Sequence, residues 1–189
     1  MNRNLLTLAL LSALATGGCI GRAPRGACKW NVEIPSQSIS AASKAKYGLV
    51  RVSHVAVRAP YDGARFAVLR PDGSVAFDGA NAFASVPAAL LRGASEDAAS
   101  ACGLFAGVIH SSSSASAPHS LEVSVTRLAL DCRTKGTREA VVDVSVTLLA
   151  GRDVVAAARG TASVPAASDY TAAFSSAFAY AMSNALYAL

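Results

Sequence analysis

Alternation of apolar and polar residues dominates the second half of the chain. Leu121, Val123 and Val125 alternate with Glu122, Ser124 and Thr126; then the phase slips, and Leu128 and Leu130 carry the apolar set onward. A period of two marks a strand with one dry face, and the slip predicts one added residue, a β-bulge, near Arg127. Carried onward, the new phase points Cys132 inward. Val142, Val144, Val146 and Leu148 alternate with Asp143, Ser145 and Thr147 beyond the turn Lys135-Gly136-Thr137. Gly151-Arg152-Asp153 then leads into a strand over 154–164 that stops at Pro165. The three strands predict an antiparallel meander with one wet face.

The first half is patterned in shorter pieces. Residues 29–35 alternate and stop at Pro35, 36–46 read as a polar linker, and 49–57 form a second strand closed by Ala59-Pro60. Strands 65–70 and 74–77 flank Pro71-Asp72-Gly73, a hairpin turn in which Pro presets φ and Gly accepts a positive one. A helix is predicted from an N-cap at Ser85, with Pro87 in its first turn and Gly103 at its end. Its apolar face holds Leu90, Leu91, Ala94, Ala98, Ala101 and Cys102. A short strand at 104–109 and a serine tract at 111–116 follow, the tract reading as a flexible loop without chemistry. The last helix, 168–189, is capped by Ser168 or Asp169 and repeats Ala173/Phe174, Ala177/Phe178, Ala181/Met182 and Ala185/Leu186. That stripe reads as core packing rather than a cofactor box. The order strands, helix, strands, helix predicts an α+β two-layer sandwich: a mainly antiparallel sheet covered by two helices.

Composition changes this picture little. The 189 residues suit one domain, and beyond the N-terminus no stretch of bilayer length is continuously apolar. The net charge is +5, and removing a leader that contains Arg3 leaves 16 basic against 12 acidic residues, or +4. The basic residues are scattered singly, without the cationic footprint of a nucleic-acid binder.

The N-terminus adds an address. Arg3 followed by the apolar run 5–15 reads as a secretory signal. Two processing sites compete: Ala13-Leu14-Ala15 suits the general signal peptidase, and Gly17-Gly18-Cys19 resembles a lipobox with Thr16 in place of the usual aliphatic residue. The short leader and the Gly/Pro-containing segment 20–26 favour lipidation of Cys19. The expected organisation is a lipoprotein signal peptide at 1–18, a lipidated Cys and tether at 19–29, and one domain at 30–189. Lipidation leaves Cys28, Cys102 and Cys132 in an oxidising compartment, with one disulfide and one free thiol the natural count. Cys102 with Cys132 is the pairing to test, with Cys28 an alternative partner.

Catalytic chemistry is sparse. His54, His110 and His119 lie in separate segments without metal-ligand spacing, and Glu96-Asp97 reads as the solvated face of a helix. Neither a metal nor a cofactor is expected, and no nucleophile, zinc or phosphate-loop motif occurs. A small hydrolase built from scattered Ser, His and Asp residues is the weakest reading.

Three segments resemble a known family. They are Pro60-Tyr61-Asp62-Gly63 with the strand and Asp-Gly turn up to Val75, the run Phe83-Ala84-Ser85-Val86-Pro87-Ala88-Ala89-Leu90-Leu91, and Gly103-Leu104-Phe105. Their order is similar to that of the ABC-type transport auxiliary lipoproteins, the PqiC-like periplasmic partners of MCE-type lipid transporters. The resemblance implies a non-enzymatic subunit working with an MCE-domain protein, a permease and an ATPase, compatible with a homo-oligomer. It also implies a membrane attachment through Cys19, on the periplasmic face of the outer membrane given Ile20; free periplasmic or secreted protein is the alternative. Loops 60–63 and 71–73, with Phe83, are the candidate partner contacts, Tyr61, Asp62 and Phe83 in particular; turns and packing explain them equally. An unrelated outer-membrane lipoprotein that scaffolds an envelope assembly is the second reading.

Overall fold

Strand β6, His119–Asp131, is the spine of the molecule. The computed structural model describes residues 28–33, 39, 41–167 and 169–189. Before the spine come β1 (Cys28–Trp30), β2 (Tyr47–Val57), β3 (Arg65–Leu69), β4 (Val75–Phe83), α1 (Pro87–Ala101) and β5 (Phe105–Ile109). After it come β7 (Glu139–Ala150), β8 (Asp153–Pro165) and α2 (Tyr170–Tyr187). The leader, Cys19 and the tether up to residue 27 lie outside the described residues, as do Ile34, Pro35 and Ser168, while Cys28 and Lys29, expected in the tether, open β1.

The antiparallel meander is present: β7 pairs along the whole of β6, and β8 along the whole of β7. The bulge is present too, because the register against β7 shifts between Val125 and Arg127, leaving Thr126 as the extra residue. The expectation of a mainly antiparallel sheet is wrong. β1 with β4, β2 with β5, β2 with β6 and β3 with β6 all run parallel, so four of the seven pairings are parallel in one mixed eight-stranded sheet. Alternation reports which face is buried and is blind to strand direction, which the long connections decide.

The free edge of β6 is forked. β2 pairs with its first half, up to Val57 against Val125, and β3 with its last three residues, Ala129 to Asp131. The changeover falls at the bulge. The Arg58 N–H donates to Val125 O at 2.9 Å, and the chain then leaves through a turn with a cis Ala59–Pro60 peptide before returning as β3.

Both helices pack on one face. α1 lies on β2 and β5, α2 on β7 and β8, and the two touch. Between them and the sheet lie Val50, Val52, Leu121, Val123, Val125, Leu128, Val142, Val144, Val146 and Leu148, all at most 1 % exposed. Under the start of α2, Phe66, Phe83 and Phe174 make a triangle with ring centroids 4.5, 5.0 and 5.2 Å apart. Edge-tilted rings at these distances add to the burial term. Trp30 joins through an edge contact to Tyr170 at 5.6 Å, while its indole N–H donates to Asn81 Oδ1 at 2.9 Å.

Helix ends follow the sequence closely. Asp169 caps α2 by accepting from the Ala172 N–H at 2.9 Å. The α1 cap falls at Val86 rather than Ser85, without a side-chain bond, because Pro87 itself opens the helix. Gly103, at φ +66°, ends α1 in the left-handed region. On α1, Ala101 is exposed, whereas Ser95 and Glu96 are buried.

The helix-side face of β8 is built from small residues, Ala156, Ala158, Gly160 and Ala162, which lets α2 come down onto strand backbone. A Cβ added at Gly160 would sit 1.9 Å from Ala181 O and 2.7 Å from Ala185 N. Both obstacles are helix backbone and cannot rotate away. Gly160→Ala is therefore expected to cost about 3 kcal/mol or more, above the usual overpacking penalty. Chemical denaturation of the variant against the parent measures it.

Candidate functional site

Among the described residues no further layer covers the sheet face away from the helices, and its centre is the fork. The bulge turns Thr126 and Arg127 toward this face, both opposite Asp143. Arg127 Nε donates to Asp143 Oδ2 at 2.8 Å, with Nη2 at 2.7 Å from the same oxygen. Arg58, from the end of β2, and Arg159, opposite Ser145 on β8, flank this pair. Together with Thr126, Ser145 and Thr161 they line a notch of about 320 Å³.

Below the fork the open face turns apolar. Ala67, Leu69, Ala129 and Val141 form a small buried cluster with Tyr61 packed over it. Phe77, opposite Ala67, and Val75, opposite Leu69, extend the strip and are 45 % and 37 % exposed. The Arg65 guanidinium lies 5.5 Å from the Phe77 ring centroid, a cation–π contact. Of the candidate partner contacts, Tyr61 is half-buried on this strip and Asp62 is exposed beside it. Phe83 is only 3 % exposed and belongs to the aromatic core, so it is withdrawn as a contact. An aromatic ahead of a helix can staple or dock; the α2 aromatics around it decide for packing.

A second polar centre went unread in the sequence. Glu96 is 6 % exposed, not solvated as expected. Its carboxylate accepts from His110 Nδ1 at 2.9 Å and from the Ser111 N–H at 3.0 Å, so Nδ1 carries the hydrogen. The serine tract is likewise tied down. β5 and β6 flank β2 on opposite sides, so the connection over 110–118 must cross β2. Arg51 of β2 fastens it, donating to His110 O and Ser113 O at 3.0 Å each, and to Ala115 O. Small residues suit a chain laid across a strand, which gives the tract a structural task. His54 is exposed, and buried Nδ1 of His119 has no hydrogen-bond partner among the described residues.

Cys28, Cys102 and Cys132 are all free thiols, so the expected Cys102–Cys132 disulfide is absent, as is the alternative through Cys28. Cys102 ends α1 beside the start of β2 and β5, and its thiol donates to Ala99 O at 3.1 Å. Cys132 follows the far end of the 13-residue β6. At roughly 3.3 Å per residue those ends are about 40 Å apart, far beyond disulfide reach. Burial raises the Cys102 thiol above its ordinary value, which keeps it protonated. Among the described residues no group of three or more His, Cys, Asp or Glu is placed to hold a metal, and no helix is long and apolar enough to cross a membrane.

No family model matches the chain, and no curated protein sequence matches it. Solved structures do. Protein XCC0632 from Xanthomonas campestris, described by the family model DUF330, is 19 % identical over 82 % of this chain and 88 % of that one, with a TM-score of 0.63. A second, described as an uncharacterized protein, is 17 % identical over 82 % and 92 %, with a TM-score of 0.56. The PelC dodecamer from Paraburkholderia phytofirmans is 18 % identical over 78 % and 94 %, at a TM-score of 0.44. At these identities the first two share the fold.

The Glu96 pair sets a pH response. Burial alone would raise its carboxyl; the hydrogen bonds from His110 and Ser111 outweigh it and hold it below the ordinary Glu value. A depressed carboxylate stabilises the fold above its unfolded pKa, and that share is lost as pH falls through the folded pKa. Glu96→Gln is expected to flatten the fall of melting temperature with acid relative to the parent. Parallel slopes for the two proteins from neutral pH down through the carboxylate range would show that Glu96 contributes nothing.

Proposed function

We propose that the chain is a non-enzymatic, membrane-anchored auxiliary subunit of an MCE/ABC-type lipid transport system, working between the inner and outer membranes. Its partners in this reading are the MCE-domain protein, the permease and the ATPase. The family resemblance brings the reading, and the observation that carries it is the uncovered sheet face. Two helices occupy one side of the sheet, while the other presents Arg58, Arg127 and Arg159 next to the Tyr61–Phe77 strip. That is a surface built for contact, and fold alone would not assign it a role. Cys19 is the anchor in this reading, holding the domain on the periplasmic face of the outer membrane through an acyl group.

Extraction of the full chain in mild detergent is expected to bring the MCE-domain protein with it, and Cys19→Ser is expected to abolish lipid labelling of the chain. Repeated extraction without that partner would defeat the transport reading. Recovery of a barrel or cell-wall component in its place would favour the scaffold reading. Unchanged labelling of the Cys19→Ser protein would defeat the anchor.

A further inference from the structure

We propose that Arg58 and Arg159, with the hydroxyls of Thr126, Ser145 and Thr161, form a binding site for a phosphate-type anion on the open face of the sheet. Five arginines of this domain are tied down by hydrogen bonds or ion pairs, while Arg70 and Arg152 stand outside the notch and Arg65 lies over Phe77. Arg51 holds loop carbonyls, Arg92 reaches Val52 O, Arg127 and Arg133 pair with Asp143 and Asp131, and Arg138 donates to Tyr170. The side chains of Arg58 and Arg159 have no hydrogen bond or ion pair among the described residues, and these two line one notch of about 320 Å³. The notch holds one carboxylate, Asp143, and Arg127 occupies it. With Asp143 neutralised by Arg127 from beside the notch, Arg58 and Arg159 leave a local charge of +2.

The donor set suits a tetrahedral oxyanion. Two guanidinium groups can approach from β2 and β8, on opposite sides of the β6–β7 pair, each offering a planar fork to anionic oxygens. Ser145 and Thr161 supply hydroxyls from the floor, and the bulge at Thr126 makes the depression. Tyr61, whose N–H donates to Arg58 O at 2.9 Å, begins the apolar strip beside the notch. A phosphate carrying an apolar group would find both surfaces adjoining. The site stands on this geometry; the transport reading bears only on the source of the phosphate.

The test titrates the full chain in nonionic detergent, at constant ionic strength, with inorganic phosphate and separately with dihexanoyl phosphatidic acid, following amide NMR signals. Saturable shifts at Thr126, Ser145 and Thr161 are expected, and Arg58→Gln and Arg159→Gln should each weaken binding about tenfold, as loss of a charge-assisted hydrogen bond does. Both arginines are exposed, so the variants should melt with the parent, which a thermal scan checks. Tighter binding of the phosphatidic acid supports the site and a lipid source; equal affinity supports the site with free phosphate as its ligand. A response that does not saturate, or Arg→Gln variants that bind as tightly as the parent, overturns the proposal. Failure of the MCE partner to co-purify while phosphate still binds would remove the transport reading alone.

Discussion

A single strand with three neighbours organises this protein. β6 presents the backbone donors and acceptors of 13 residues, divided between its two edges, and buried groups of that kind must be paired. β7 matches it in length and satisfies one edge completely. On the other, β2 pairs up to Val125 and β3 takes over at Ala129. The bulge at Thr126 marks the handover, and the Arg58 N–H takes the Val125 carbonyl as β2 departs. Much else follows from that division. The chain must leave the sheet and return as a hairpin, α1 must carry it back to β5, and the serine tract must then cross β2 to begin β6.

The crossing explains two polar groups that would otherwise look like fragments of an active site. Arg51 gathers carbonyls that a strap across a strand leaves unpaired, and Glu96 receives the imidazole and amide at its start. Their arrangement is that of fasteners. On the helix side, small residues on β8 let α2 press against strand backbone, with Asn184 donating to Thr161 O at 3.1 Å. Both helices thus share one face, and among the described residues no further layer covers the other. The fork, the notch and the Tyr61 strip all lie there, so the feature that solves the backbone problem also shapes the open face of the sheet.

Much of this was legible in the residues. The dry faces of β6, β7 and β8, the Thr126 slip, the Asp169 cap and the Gly103 stop all rest on short-range rules, whether alternation, capping or the freedom of glycine at positive φ. The partners of β2 and β3, the burial of Glu96 and the place of Phe83 rest on contacts between residues far apart in the chain. Glu96 beside Asp97 on an amphipathic helix looks solvated until His110 arrives from the end of β5. Phe83 looks like a surface staple until Phe66 and Phe174 close around it.

The sequence by itself therefore determined the dry faces of the long strands, the slip at Thr126, the Asp169 cap and the Gly103 stop, because those are settled within a few residues by sterics and local hydrogen bonding. Only the tertiary structure decided strand direction, the fork in the sheet, the separation of Cys102 from Cys132 and the placing of Arg58 and Arg159 on one notch. Each of those depends on how long connections close, and alternation is the same for a strand running either way.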